Sequence, residues 1–362
     1  MSFRLRDRGT SALRRLLPKL ALLASSLVFT LVITEASLRI AFCHSKDFAM
    51  EMWKYAVQLK QPVANPDLSF VHVPNSHAFL MGVDVNINSQ GLRDNEYSFA
   101  KSPETYRIMM LGDSTTLGWG VPLEATVPKL LERDLNEDRA PGIDRFEVLN
   151  AGVGNYNTVQ EVAYYETIGK TFDPDFVVLV FFINDPEPVP KERKRLLVDR
   201  SYLVAFVTSR FDNLLRLLGR RPEWKSYYAS LYDENKPAFQ ACRVALARLS
   251  TLGPRSRVLV ALLPELHQIN GDSYPFKEQH RRVKNLLTSQ GVPVIDLIDG
   301  LKDHGPENTL WVTPTDDHPN GKANALIAQQ LREWFRIQPR LRLPAKRTPG
   351  PQTFIVPQTM SR

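Results

Sequence analysis

The sequence predicts an α/β fold, a single doubly wound domain built on a parallel sheet of about five strands. Three observations lead to it. Apolar runs at 107–111, 146–149, 176–183, 258–263 and 292–295 alternate with segments of helical period. The run at 176–183 is apolar throughout, as a parallel strand covered on both faces should be. Each run stops at Gly, Asn, Pro or Asp, so each delivers a loop at its carboxyl end, and that edge of an open α/β sheet is where ligands bind.

The segments before the sheet are set apart by charge. Residues 1–19 and 338–362 each carry a net +5, which leaves the body between them at −3 within a total of +7. An acidic body lacks the basic face that nucleic acid requires, so no nucleic-acid partner is expected. The basic charge belongs to a cytoplasmic segment, 1–19, and to a Pro- and Arg-rich tail, 338–362, expected to be disordered. Two cysteines, Cys43 and Cys242, give neither a disulfide framework nor a Cys-rich zinc site. Leu20 to Thr34 is free of charge, and the stretch to Cys43 holds only Glu35 and Arg39, which share a helix face and can neutralise each other. Residues 20–43 are therefore read as a membrane anchor, with the amino terminus cytoplasmic and the body periplasmic or extracytoplasmic. The alternative is a signal peptide whose cleavage would release a secreted protein. The lack of an Ala-x-Ala-like triplet after the apolar core favours the anchor.

Residues 44–105 form a lead-in with little periodicity, in which Asn86–Arg93 reads as a strand end and a turn at Gly91. Residues 106–337 hold the sheet. Leu123–Glu137 places Val127, Leu130, Leu131 and Leu135 at helical spacing, a helix is expected to start near Thr158, and helical patterns recur at about 237–252, 276–290 and 320–336. Between the third and fourth strands, 186–257 contains a basic run (Lys191, Arg193, Lys194, Arg195) and an apolar helix-like stretch, 202–218. It is read as a helical insertion beside the site, either a lid or membrane-contacting face or an ordinary packed crossover.

The chemistry-bearing residues sit at the strand ends. Ser114, in Gly112-Asp113-Ser114, leaves the first strand of the sheet. A serine hydroxyl is a weak nucleophile at neutral pH and needs a base, which in turn needs an orienting partner. Among seven histidines, His318 stands apart, in Thr315-Asp316-Asp317-His318-Pro319-Asn320-Gly321 just before the last helix. Two residues apart in an extended loop, Asp316 and His318 point to the same side, so Asp316 can hold the second ring nitrogen. Asp317 points away and can cap the helix. Ester cleavage also creates an oxyanion, whose preorganised donors are worth about 2.7–4 kcal/mol each. Asn184, just past the third strand, offers a side-chain amide, and the turn Gly152–Asn155, just past the second, offers backbone N–H groups. A second Gly-Asp-Ser, at 271–273, follows no strand end and reads as a turn. Asp316, Asp317 and His318 can also ligate a metal, but no second ligand group has matching spacing, so no metal and no cofactor are assigned.

Taken together, these residues resemble the SGNH (GDSL-type) hydrolase family. Gly112-Asp113-Ser114 matches its first block, Asn184-Asp185 its third, and His318-Pro319 its fifth. The resemblance covers about 85–336, and Asn88-Ser89-Gln90-Gly91-Leu92-Arg93 and Gly118-Trp119-Gly120-Val121 are similar to bacterial envelope members. It implies a flavodoxin-like three-layer α/β/α sandwich and metal-free ester hydrolysis or acyl transfer. Ser114 would be the nucleophile and His318 the base; Ser114 N–H, Asn155 N–H and Asn184 would be the oxyanion donors, with neighbouring Gly154 as an alternative. Three positions depart from the family pattern: Asn155 replaces the second-block glycine, Phe182 replaces the glycine two before Asn184, and Thr315 stands where the acid commonly lies, leaving Asp316 as the nearest substitute.

The expectation is a serine-dependent ester hydrolase facing the cell exterior or periplasm and deacylating O-acylated carbohydrate. Two alternatives accompany it: an O-acyltransferase acting on surface polysaccharide, and a non-catalytic polysaccharide-binding or assembly protein of the same fold.

Overall fold

In a computed structural model that describes residues 8–138, 140–191, 197–251, 257–270 and 274–337, the amino-terminal segment is one helix, α1 (Arg8–Ala41). Its stretch Leu16–Ala41 is long and apolar enough to cross a membrane. After a short turn, Asp47 starts α2 (Phe48–Leu59) by accepting a hydrogen bond from Met50 N at 3.1 Å. The lead-in, aperiodic in sequence, is structured. β1 (Lys60–Pro62) pairs antiparallel with β2 (Phe70–His72), and β3 (His77–Leu80) with β4 (Val83–Asn86). Strands of three and four residues are too short to show a period, which is why they were hidden. Met81 and Gly82, at φ of 53° and 87°, make the two-residue turn between β3 and β4.

The main sheet begins with β5 (Thr105–Gly112), which is followed by the single-turn helix α3 (Ser114–Leu117) and by α4 (Val127–Asp138). The helix expected from Leu123 starts only at Val127, so that Pro128 falls in the first turn, where no N–H is needed. Then come β6 (Arg145–Gly152), α5 (Thr158–Thr167) and β7 (Phe176–Phe181). The 186–257 region holds α6 (Tyr202–Leu217), α7 (Trp224–Leu231) and the crossover helix α8 (Pro237–Thr251). β8 (Val258–Leu262), α9 (Lys277–Ser289) and β9 (Val294–Asp296) complete the sheet, and β9 starts after Pro293, which lacks a donor for the ladder. A small antiparallel pair, β10 (Trp311–Thr313) and β11 (Asp316–Pro319), leads into α10 (Gly321–Arg336). His318 therefore lies on a short strand, where a loop was expected. The second Gly-Asp-Ser, the tail from Gln338 and most of the basic run at 191–195 lie outside the described residues.

The strand order is β6-β5-β7-β8-β9, all parallel. β5 and β6 extend beyond their predicted runs at both ends, and within them Arg107 and Glu147, paired in register, bond to each other (Nε to Oε2, 2.8 Å) and are both buried. After β5 the chain steps to β6 on one side, then crosses to β7 on the other, so the switch point lies between β5 and β7. Right-handed crossovers place α4 on one face and α5, α8 and α9 on the other; α10 packs on α4, and α5 on α8. This is the three-layer α/β/α sandwich expected.

Full register between β5 and β6 sets Gly112 beside Gly152, which brings the loops after the two strands together. A Cβ on Gly152 would stand 2.2 Å from Leu117 N, in the backbone of α3. Gly152→Ala is thus expected to push α3 off β6, costing about 1–3 kcal/mol. A thermal melt and an ester assay should show a lowered midpoint and depressed activity together.

Candidate active site

Ser114 is the first residue of α3, and the cap of that helix is its neighbour. Asp113 accepts hydrogen bonds from Thr115 N and Thr115 Oγ1, each at 2.8 Å. The serine hydroxyl is therefore released from local capping, and it lies 2.9 Å from His318 Nε2. The other ring nitrogen, Nδ1, donates to Asp316 Oδ1 at 2.6 Å, which leaves Nε2 as the acceptor for the serine proton. Asp316 is buried, and its second oxygen accepts the indole N–H of Trp119 at 3.0 Å. The imidazole is enclosed by the rings of Phe48 and Trp119, with centroids 5.6 and 6.1 Å away. Burial by itself lowers the pKa of His318, but its hydrogen bond to Asp316 and the charges of Asp316, Asp317 and Asp113 outweigh this and raise it above the ordinary 6.5.

Asp317 does point away from Asp316, but it does not cap the last helix. Asn320 does so, accepting from Lys322 N and Ala323 N at 3.0 and 3.1 Å. Asp317 instead meets His267, which also contacts Glu265 just past β8. The ligating atoms of Glu265, His267 and Asp317 lie within 4.8 Å of one another, as do those of Asp316, Asp317 and His318. This corrects the expectation that no second group of ligand type accompanies Asp317. The hydrogen bond to Asp317 raises the pKa of His267 to about 9, so at neutral pH it is a cation between two carboxyl groups. Among the described residues this cluster is a charge clamp beside the base, flanked by Trp311 and Trp224 with ring centroids 4.4 and 5.5 Å from His267.

On the other side of Ser114, Asn155 takes the left-handed conformation, with φ of 66°, that asparagine tolerates. Gly154 is withdrawn as an alternative donor because its N–H is committed to Tyr55 Oη at 2.8 Å. The Tyr55 hydroxyl contacts His72 Nε2 at 2.7 Å, and His72 Nδ1 meets Gly91 O at 3.1 Å. Burial drives the His72 pKa down to about 3, so it stays neutral and can accept from the tyrosine. Lys60 Nζ donates to Gly154 O at 2.5 Å and to Asn155 Oδ1 at 3.0 Å, with the Phe70 and Tyr55 rings 4.2 and 4.6 Å from the ammonium. Half-buried, and with no carboxylate partner among the described residues, it is desolvated and its pKa falls to about 7. Asn184 donates a long hydrogen bond of 3.4 Å to Asp113 Oδ2. Glu161 and Asp185 are buried, and desolvation first, then repulsion from Asp185 and Asp113 on Glu161 and from Asp113 on Asp185, holds both far above the usual carboxylate range.

The structure thus gathers Ser114, His318, Asp316, Asn155 and Asn184 at the carboxyl edge around the switch point. Trp119, Phe48, Tyr55 and Lys60 complete the site and were not singled out as functional. Only Trp119 carried a hint, through its place in Gly118-Trp119-Gly120-Val121.

Residues 110–326 match the family model of the GDSL-like lipase/acylhydrolase family. The chain belongs to that family. Membership places it among hydrolases acting on ester bonds. No curated protein matches the chain. Among solved structures, it is similar to a two-domain esterase active on acetylated mannans (17% identity, TM-score 0.43), covering 68% of this chain and 54% of that one. The match thus spans about half of that esterase. It is also similar to an acetylxylan esterase from Geobacillus stearothermophilus (14% identity, TM-score 0.42, 64% of this chain and 95% of that one). A lipase/acylhydrolase from Enterococcus faecalis shows 16% identity and a TM-score of 0.39 over 66% of this chain and 100% of that one.

For this GDSL-like chain, the Trp119–Asp316 bond yields a direct expectation. Trp119→Phe removes the indole donor together with part of the buried ring, leaving a buried carboxylate oxygen unpaired. Steady-state kinetics should show kcat reduced about tenfold, equivalent to ~1.4 kcal/mol, and a thermal melt should show a lowered midpoint.

Proposed function

We propose that this chain is a serine esterase that removes acyl groups from O-acylated carbohydrate, held by α1 in a membrane with its catalytic domain on the periplasmic or extracytoplasmic side. The observation that carries the reading is the hydrogen-bonded series Ser114–His318–Asp316 at the switch point of the sheet. In the first half-reaction His318 Nε2 takes the proton of Ser114 as Oγ attacks the acyl carbonyl. The oxyanion is received by Ser114 N–H, Asn155 N–H and the Asn184 amide. His318 then protonates the departing alcohol, leaving the acyl group on Ser114. In the second half-reaction His318 deprotonates a water, which releases the acid and restores the serine.

Two features support the finer parts. Trp224, His267 and Trp311 beside Asp317 offer the apolar ring faces and charged hydrogen-bonding groups that suit a sugar. Glu35, near the end of α1, is bonded to the start of α6 (Ser201 Oγ at 2.8 Å, Tyr202 N at 3.0 Å), a contact that cleavage of α1 would destroy. This favours a retained anchor over a signal peptide.

The test is hydrolysis of short aryl esters and of acetylated xylo-oligosaccharides by the wild type, Ser114→Ala and His318→Ala, with an unacetylated sugar present so that transfer would be seen as a second product. Loss of activity in both variants is expected; equal rates in all three would refute the esterase reading. The neutral form of His318 is the base, and its pKa is raised, so the acid limb of kcat/KM should have its midpoint above 6.5. Asp316→Asn removes the raising interaction. Its limb should move to lower pH while kcat falls roughly a thousandfold or more.

A further inference from the structure

α6 is covered only over its first turns. Tyr202 lies under the Arg39 guanidinium, 5.0 Å from its ring centroid, and Phe206 lies 5.7 Å from Phe42. Beyond Phe206, the residues Val207, Phe211, Leu214 and Leu218, spaced by four, three and four, form one exposed apolar stripe, with Phe211 59% and Leu218 63% accessible. Leu217 beside it is 85% exposed. Single exposed apolar residues need no explanation, but a stripe along a whole helix does.

The position of α6 follows from α1. At ~1.5 Å per residue, Leu16–Ala41 reaches roughly 39 Å, about 9 Å more than a hydrocarbon core, so the last turns of α1 emerge among headgroups. Those turns carry the clasp. The Glu35 carboxylate accepts from Ser201 Oγ and from the N–H groups of Tyr202 and Leu203 at 2.8, 3.0 and 2.9 Å, occupying the positive end of α6, while Arg39 donates to Arg200 O at 3.0 Å. The start of α6 is thereby held at headgroup level. Residues 197–221 carry five arginines against two aspartates, within a body whose net charge is negative, as anionic lipid would select.

We propose that α6 lies in the membrane interface, its Val207–Phe211–Leu214–Leu218 stripe sunk to the headgroup–acyl boundary of an anionic bilayer, as a second attachment beside α1. The inference rests on α1 being a retained anchor. Its consequence is positional. α2 packs on α6 (the Trp53 and Tyr202 ring centroids lie 4.7 Å apart), and α2 begins with Phe48, the residue against the His318 ring. An interfacial α6 therefore holds the site close to the bilayer, where membrane-attached esters are within reach.

The experiment uses the full chain carrying Cys43→Ser, reconstituted in vesicles of phosphatidylethanolamine and phosphatidylglycerol, with a fluorophore on Phe211→Cys, Val28→Cys or Asp299→Cys in turn. Quenching by lipids brominated along the acyl chain reports contact with the hydrocarbon boundary. Retained aryl-ester turnover shows that each labelled variant is folded. The label at 211 should be quenched at least about threefold more than the label at 299, which marks exposed surface outside α6. Equal quenching at 211 and 299, with 28 quenched, would overturn the interfacial helix and leave the anchor standing. Absence of quenching at 28 would overturn the anchor and the inference with it. Energy transfer between labels at 211 on different copies, without lipid quenching, would also overturn it, since the stripe would then be covered by a second chain.

Discussion

Leu117 N of α3 lies where a side chain on Gly152 would stand, and this close approach decides how the turn after β5 meets the sheet. With β5 and β6 in full register, Gly112 and Gly152 are neighbours, and α3 drops into the space their missing side chains leave. A larger residue at either position would lift α3 and take Ser114 with it. Burial of β5, β7 and β8 makes the platform rigid, so the strand ends keep their spacing.

The lead-in fixes that edge from outside. Arg93, buried, donates to Leu117 O at 3.1 Å and to Val121 O at 2.7 Å, holding the loop that carries Trp119. Tyr55 ties Gly154, and Lys60 holds the carbonyl of the same residue, so the peptide leading to Asn155 N–H is constrained from both sides. The carbonyl of Gly154 and the N–H of Asn155 belong to one peptide group, so a hydrogen bond donated to the former strengthens the latter as a donor. Charge is arranged with equal care around the base. Asp316 and Trp119 orient His318, and the His267–Asp317 clamp holds the strand on the other side.

Much of this was legible in the sequence, for physical reasons that also set the limits. β7 and β8, and β5 beyond Arg107, are covered on both faces and so appear as unbroken apolar runs, and the residues that follow them can be placed by counting. Asp316 and His318 could be paired because two residues in an extended segment share a side. Asn155 could be accepted in place of glycine because asparagine tolerates positive φ. Pairings made in space were hidden. Nothing near Tyr55, Lys60 or Phe48 signals that α2 and β1 pack beside a turn some ninety residues on. Glu265 and His267 follow β8, yet only the fold brings them to Asp317. Glu35 and Arg39 were readable as a pair, but the helix end they hold lies more than 160 residues away.

The most direct measurement is to treat the full chain with a fluorophosphonate and locate the adduct by intact-mass and peptide analysis. The hydrogen-bonded series predicts one adduct per chain, on Ser114. No adduct, or one on the serine of the second Gly-Asp-Ser, Ser273, would contradict it.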